Sequence, residues 1–167
     1  MNKKIMGALV AVIAMFGLSA NAQNVMDKGS SIFTVGVGIT NHRIPLSVAF
    51  DHGIVGNVFD SPDATLSLGG MLGTSFGRGH NGLFIGPRVG LHYHFIPQLD
   101  TYMSLMLGLE AGKYKDHNVS TDWHSDMGWG AHVGARYMFT PTVGGFIELG
   151  YGYSFASFAN IGLAFKL

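Results

Sequence analysis

The feature that most constrains this chain is an alternation of apolar residues with small or polar residues at a period of two. In Leu83–Phe95, leucine, isoleucine, valine and aromatic residues alternate with glycine, arginine and histidine. Successive side chains of a β-strand point to opposite faces, so this period predicts strands with one apolar face. Each strand is about as long as the roughly 9–11 residues that a tilted membrane strand needs. Eight segments share the pattern: Ser31–Ile39, Ile44–Asp51, Thr65–Phe76, Leu83–Phe95, Thr101–Ala111, Met127–Phe139, Val143–Tyr153 and Phe158–Leu167.

Turn-forming and polar residues separate these segments. Pro97 and Pro141 fall in short connections, where a missing N–H removes no ladder hydrogen bond. Pro87 lies inside the fourth segment and predicts a local bulge or a weak pairing there. The predicted connections are Thr40–Arg43, Gly53–Ala64, Gly77–Gly82, Ile96–Asp100, Gly112–Asp126, Thr140–Thr142 and Ser154–Ser157.

Composition indicates which face of the sheet points outward. Charged residues make up 12% of the chain, about half the globular norm of roughly 25%. The polar face is mostly glycine, serine and alanine, which suits the crowded lumen of an eight-stranded barrel, and a closed sheet satisfies every backbone group in lipid. The sequence therefore predicts an all-β fold, an eight-stranded antiparallel up-and-down transmembrane β-barrel. A soluble sandwich outside the cytoplasm is the minor alternative.

The N-terminus has the three parts of an export signal. Lys3 and Lys4 precede an unbroken apolar run, Ile5–Leu18, and Ala20-Asn21-Ala22 follows as a cleavage site. The apolar run is shorter than the roughly 20 residues of a spanning helix. We therefore expect a cleaved signal peptide at residues 1–22 and one barrel domain at residues 23–167.

Several classes of function are disfavoured by composition. The chain has no cysteine, which excludes disulfides, thiolate metal sites and cysteine nucleophiles. Its 10 basic and 10 acidic residues give no electrostatic footprint for nucleic acid. The glycines follow the strand period rather than a strand–glycine–helix order, so no nucleotide cofactor is expected.

Five charged residues fall on the inward face of the predicted strands. Because an unpaired buried charge is far costlier than a paired one, we expect these side chains to pair inside the lumen. A short turn makes the sixth and seventh strands neighbours, and this favours a pair between Arg136 and Glu148. The leading interpretation is a structural plug of the lumen, and the alternative is a narrow gated pore. The five residues are Arg88, Glu110, Arg136, Glu148 and Lys166.

Three histidines also face inward: His92, His94 and His132. Two of them, at i and i+2, share one strand face, which is compatible with metal ligation. Cysteine is absent and no carboxylate is clearly placed to complete a ligand set. We therefore predict a hydrogen-bonded lumen role for the histidines and no bound metal.

The longest predicted connection, Lys113–Ser125, is polar. Because loops often carry function, Lys115, Trp123 and His124 are candidate contacts for a partner at the surface. The alternative is a solvated, variable loop.

The last eight residues resemble the C-terminal β-signal of outer-membrane barrels. Asn160, Gly162, Phe165 and Leu167 match its polar, glycine, aromatic and terminal hydrophobic positions. Four further stretches resemble the family of small outer-membrane β-barrels of the OmpA-like and OmpX-like type. These are Pro45–Asp51, Asp100–Met103, Gly134–Thr140 and Glu148–Gly152.

The resemblance implies a location in the cell outer membrane, among its lipid and lipopolysaccharide. It implies insertion by the barrel-assembly machinery, both termini in the periplasm and odd-numbered connections outside. It carries over no catalytic site, and no cell-wall anchoring is expected because no peptidoglycan-binding domain follows the barrel. We expect a monomer.

Two classes of function remain. The first is a non-enzymatic barrel that stabilises the outer membrane or presents loops to a partner. The second is a barrel enzyme that acts on lipid A or phospholipid, which needs a nucleophile beside a base. No His-x-Ser pair lies on one strand face, so the sequence favours the non-enzymatic barrel.

Overall fold

The structure is a computed structural model that describes residues 24–39, 43–77, 80–116, 119–120, 124–153 and 159–167. The expected signal peptide, residues 1–22, lies outside the described residues. Nine strands and one short 3-10 turn, Val58–Asp60, make up the described elements. The strands are β1 (Ser31–Ile39), β2 (Arg43–Gly56), β3 (Ala64–Gly77), β4 (His80–Ile96), β5 (Leu99–Asp116), β6 (Val119–Ser120), β7 (His124–Met138), β8 (Val143–Tyr153) and β9 (Ala159–Lys166).

Eight of these strands form a closed barrel, and β6 is a two-residue extension that pairs with the end of β5. The hydrogen-bonded order is β4-β3-β2-β1-β9-β8-β7-β5, and β4 pairs with β5 to close the sheet. Every pairing is antiparallel, and the first and last strands lie side by side. The predicted eight-stranded antiparallel barrel is confirmed.

Strand limits differ from prediction mainly at polar ends. β1 and β8 have the predicted limits, but β5 and β7 run further, so most of the predicted connection Lys113–Ser125 is paired strand. Gly112 pairs with His124, and Lys115 pairs with Ser120. A ladder continues through polar residues because its hydrogen bonds come from the backbone, whereas the sequence pattern reports only side chains.

Pro87 produces a weak pairing but no bulge. On the β3 side it pairs with Gly70 within a continuous register. On the β5 side the register passes from Ile85–Leu109 to Arg88–Met106 without a shift, and no ladder pair is recorded at Pro87. Proline cannot donate a backbone hydrogen bond, which explains the local gap.

The two faces of the sheet differ as an inside-out protein requires. On β5, the apolar side chains from Met103 to Leu109 at every second position are 56–66% exposed on the outside of the barrel. Tyr102, Ser104 and Met106, on the opposite face of β5, are buried in the lumen. A contiguous apolar surface of this extent is far larger than a soluble monomer carries, so the exterior is suited to lipid. No helix within the described residues is long and apolar enough to cross a membrane.

The lumen has three regions along its axis. The proximal end is defined here as the end at which β1 begins and β9 finishes. Toward the opposite, distal end lies an apolar layer of Ala49, Met71, Phe84 and Met106. A central layer, between this apolar layer and the proximal end, holds most of the buried charges.

Residues Asn24–Ser30, named the cap here, lie across the proximal mouth. Val25 and Met26 are fully buried there and pack in one cluster with lumen side chains of β1, β7 and β9: Ile32, Met138 and Ala164. Backbone hydrogen bonds join Gly29 and Ser30 to Gly53 of β2. The cap therefore extends the lumen's core beyond the strands.

Candidate functional site

Two arginines anchor the central layer of the lumen. On β4, Nη2 of Arg88 lies 2.6 Å from Oε1 of Glu148, and its Nε lies 3.3 Å from Oδ1 of Asp51. On β7, Nη1 of Arg136 lies 3.1 Å from Oδ2 of Asp100, and its Nη2 lies 3.3 Å from Oδ2 of Asp51. Asp51 therefore bridges the two guanidinium groups. All five side chains are buried.

The predicted pair between Arg136 and Glu148 is wrong. Strands β7 and β8 are registered so that Glu148 lies opposite Gly134, while Arg136 lies opposite Phe146. On its other side Arg136 is directly opposite Asp100 of β5, and this carboxylate binds it. Glu148 instead reaches across the lumen to Arg88.

Tyr102 joins the two halves of the network. Its hydroxyl donates to Oε1 of Glu148 at 2.8 Å. Its ring centroid lies 4.9 Å from the guanidinium carbon of Arg136 and 5.5 Å from that of Arg88. Aromatic faces attract such cations, most strongly where water is excluded. Asn160 completes the cluster by donating to Oε2 of Glu148 at 3.3 Å and to Ser47 at 3.2 Å.

His92 belongs to this network through its contact with Asp100. Two arginines face three carboxylates, and Nδ1 of His92 lies 3.0 Å from both oxygens of Asp100.

Ser67, His92 and Asp100 have the spacing of a hydrolase triad. Oγ of Ser67 lies 2.8 Å from Nε2 of His92, on the opposite side of the ring from Asp100. The Ser67 hydroxyl also donates to the carbonyl of Gly90 at 3.4 Å. Each nitrogen of the His92 ring therefore has a polar neighbour, Asp100 on one side and Ser67 on the other. Ser67 is fully buried on the lumen face, whereas the face suited to lipid is on the other side of β3.

This chain of three residues corrects one step of the sequence argument. A His-x-Ser pattern on one strand face does not reveal these residues, because they come from three adjacent strands, β3, β4 and β5. Asp51 was visible as an inward residue, and Asp100 fell in a predicted turn. Their partners depended on strand register.

The other predicted lumen residues are spread along the lumen. Glu110 and His132 are buried on the distal side, and Nδ1 of His132 has no hydrogen-bond partner among the described residues. Lys166 is half-buried at the proximal end and donates to the carbonyl of Asn24 in the cap at 2.7 Å. His94 also contacts the cap, through the Met26 amide. The described residues contain no group of three or more ligands placed to hold a metal ion.

Two of the candidate surface contacts, Lys115 and His124, lie at the distal end. Lys115 and His124 are on paired strands, where their backbones are described and their side chains are not, and Trp123 lies outside the described residues. The site that the structure defines is therefore the lumen.

Residues of the proposed β-signal line β9, beside β1. A side chain at Gly162 would overlap the carbonyl oxygen of Val35, so the close approach of these two strands requires glycine there. Asn160 is buried in the lumen, and Leu167 is exposed at the proximal end. The amide of Leu167 donates to the carbonyl of Ser31, where the barrel closes.

Comparison with known proteins identifies the class of fold. No protein-family model matches the chain, and no curated protein matches its sequence. The N-terminal β-barrel domain of Pseudomonas aeruginosa OprF matches with a TM-score of 0.66 at 14% identity, covering 84% of this chain and 98% of that one. A transmembrane β-barrel designed de novo gives 0.57 at 20% identity over 85% and 98% of the two chains.

Neisserial surface protein A gives a TM-score of 0.54 at 12% identity, covering 83% of this chain and 95% of that one. The chain therefore has the fold of the small eight-stranded outer-membrane β-barrels.

Proposed function

We propose that the protein is an integral outer-membrane barrel with a structural or surface-interaction role, whose lumen is closed by its own side chains. The observation that carries this proposal is the inversion of the two faces. Apolar side chains cover the outside, while Arg88, Arg136 and their carboxylate partners are buried within. This distribution suits a barrel surrounded by lipid.

Three successive layers support a closed lumen. The cap lies across the proximal mouth, the ion-paired layer occupies the middle, and Phe84 with Met71 and Met106 fills the section beyond it. Eight strands leave an interior that side chains can fill. A narrow porin-like channel is the alternative, and it requires a continuous path past the Arg136 layer.

The setting we propose follows from the C-terminal pattern and the closed sheet. The barrel-assembly machinery would insert the chain through Asn160, Gly162, Phe165 and Leu167, leaving the proximal end in the periplasm. Outer-membrane lipid and lipopolysaccharide would then contact the apolar exterior. Since the eight described barrel strands pair with one another on both sides, they leave no edge free to pair with another chain, and a monomer is the expected state.

Conductance in planar lipid bilayers tests the closed lumen. Wild-type protein and Arg136→Ala are both expected to be silent, because the apolar layer and the cap remain in the variant. Asp60→Asn, in the exposed turn after β2, is the matched control for loss of a charge outside the lumen. Steady single-channel steps from the wild type would overturn the proposal in favour of the channel.

Mass spectrometry of lipid A separates the proposed role from an enzymatic one. Cells with and without the protein should give the same acylation pattern. An altered pattern that disappears with Ser67→Ala would show that the buried serine chain is catalytic, and the structural role would then be wrong.

A further inference from the structure

The cap is attached to the barrel by a contact with a titratable group. The backbone N–H of Met26 donates to Nε2 of His94 at 3.0 Å, and both residues are buried. The other hydrogen bonds between the cap and the barrel join Gly29 and Ser30 to Gly53 of β2, and Lys166 of β9 to Asn24.

The two neighbours of the ring fix the protonation state of His94. A backbone N–H can only donate, so Nε2 must present its lone pair to Met26. Nδ1 lies 3.2 Å from the carbonyl oxygen of Asp63, which can only accept, so Nδ1 carries the hydrogen. The docked cap therefore requires a neutral His94 in a single tautomer.

Protonation of His94 is incompatible with this contact. A second hydrogen on Nε2 would point at the Met26 N–H, placing two donors against each other. Oδ1 of Asp100 lies 3.8 Å from the same nitrogen and is the nearest acceptor of opposite charge. We propose that the cap is a pH-sensitive lid: protonated His94 turns toward Asp100, releases Met26 and loosens the cap at the proximal mouth.

Charged groups on each neighbouring element act on this step. Asp100 of β5 favours a proton on His94, whereas Asp27 of the cap accepts a hydrogen bond from the Asn24 side chain. His92 on the same strand and Arg136 of β7 oppose the proton, because both already bind Asp100. The carbonyl of Asp63 accepts from Nδ1 in either state. Lys166 of β9 acts on the cap itself, through Asn24, so the cap stays tethered while Met26 is released.

Amide hydrogen exchange at Met26 tests the lid in the unmodified protein. Between about pH 8 and about pH 5, the range in which histidine titrates, its protection factor should fall about fivefold or more, which is the effect of losing one buried hydrogen bond. Amides in the middle of β5 should keep their protection. Equal Met26 protection at both pH values would overturn the proposal.

Thiol labelling gives an independent readout because the chain contains no cysteine. Val25→Cys places a thiol in the buried part of the cap, and Lys28→Cys places one in its exposed part, which corrects for the effect of pH on the thiol. The ratio of the Val25→Cys rate to the Lys28→Cys rate should rise on acidification. His94→Gln, which keeps an acceptor for Met26 but does not titrate, should hold the ratio constant.

His132→Gln is the matched control, since His132 is buried in the distal part of the lumen. It should retain the wild-type rise in the ratio. A rise that persists in His94→Gln would overturn the proposal, as would a rise abolished equally by His132→Gln. Heat-modifiable mobility on a gel verifies that each variant is folded. None of these readouts requires ion conduction. The proposal of a lid can therefore be overturned while the proposal of a closed lumen holds, and the closed lumen can be overturned while the lid holds.

Discussion

The outer face of the barrel and the lumen differ in how strictly each position determines its side chain. On β7, Arg136 is fully buried among carboxylates, and the next residue, Tyr137, is 47% exposed on the outer face. Any apolar side chain of suitable size satisfies the outer face, because lipid adapts to its shape. A buried charge needs a partner at a defined place. The lumen is therefore the specific half of the structure, and adjacent residues on one strand should respond very differently to substitution.

The largest difference is expected at Arg136 and Tyr137. Arg136→Leu leaves Asp51 and Asp100 short of a partner and should lower the free energy of unfolding by about 4 kcal/mol. Tyr137→Leu keeps an apolar group in lipid and should change it by less than about 1 kcal/mol. Urea unfolding in lipid vesicles, followed by heat-modifiable mobility, measures both. Equal losses would mean that the ionic layer contributes nothing specific.

The next pair is Phe84, in the apolar layer of the lumen, and its neighbour Ile85, on the outer face. Phe84→Ala empties a fully enclosed position and should cost about 3 kcal/mol. Ile85→Ala, on the outer face at 58% exposure, leaves a gap that lipid can fill and should cost less than half as much. Unfolding curves of the two variants under identical conditions provide the measurement. A larger loss for Ile85→Ala would contradict the assignment of faces.

At Leu105 the outer face is the sensitive one, because the substitution introduces a charge there. Leu105→Arg puts a charge into the lipid-facing surface and should cost about 2 kcal/mol. Leu105→Met is the control and should be close to neutral. The same urea titration in vesicles applies. If arginine is tolerated as well as methionine, the outer face does not lie in the hydrocarbon.

The smallest difference is expected at Gly69 and Gly70 of β3. A methyl group at Gly69 would overlap the carbonyl oxygen of Phe50, so Gly69→Ala should cost about 1 to 2 kcal/mol. At Gly70 the nearest atom to an added methyl would be the carbonyl oxygen of Gly86 at 3.5 Å, an ordinary contact, and Gly70→Ala should be neutral. Thermal midpoints of the two variants decide between these expectations. Identical midpoints would show that the close approach at Gly69 relaxes without cost.

The sequence predicts which face each residue occupies because alternation is a local property of a strand. Arg88 and Arg136 could be placed in the lumen from this pattern alone, with no knowledge of neighbouring strands. Their partners depend on register across the barrel, which the pattern leaves open. For this reason the Arg136–Glu148 pair was wrong, and Asp51 and Tyr102 were missed as members of the network.

The cap was missed for a different reason. Asn24–Ser30 has neither strand alternation nor a helical period, so nothing local predicts that Val25 and Met26 are buried. Their burial results from the open proximal end of the lumen, which only the closed barrel creates. The strand ends beyond Ala111 were missed for a related reason, since their pairing comes from the backbone.

Fluorescence quenching of Trp129 by brominated lipids tests most directly which face of the barrel meets the membrane. The chain has 2 tryptophans, so Trp123→Phe leaves Trp129, which is 44% exposed on the outer surface beside Tyr151. The inside-out barrel predicts strong quenching when the folded protein is in vesicles of lipid brominated on the acyl chains. Unquenched fluorescence from folded protein in the same vesicles would contradict it.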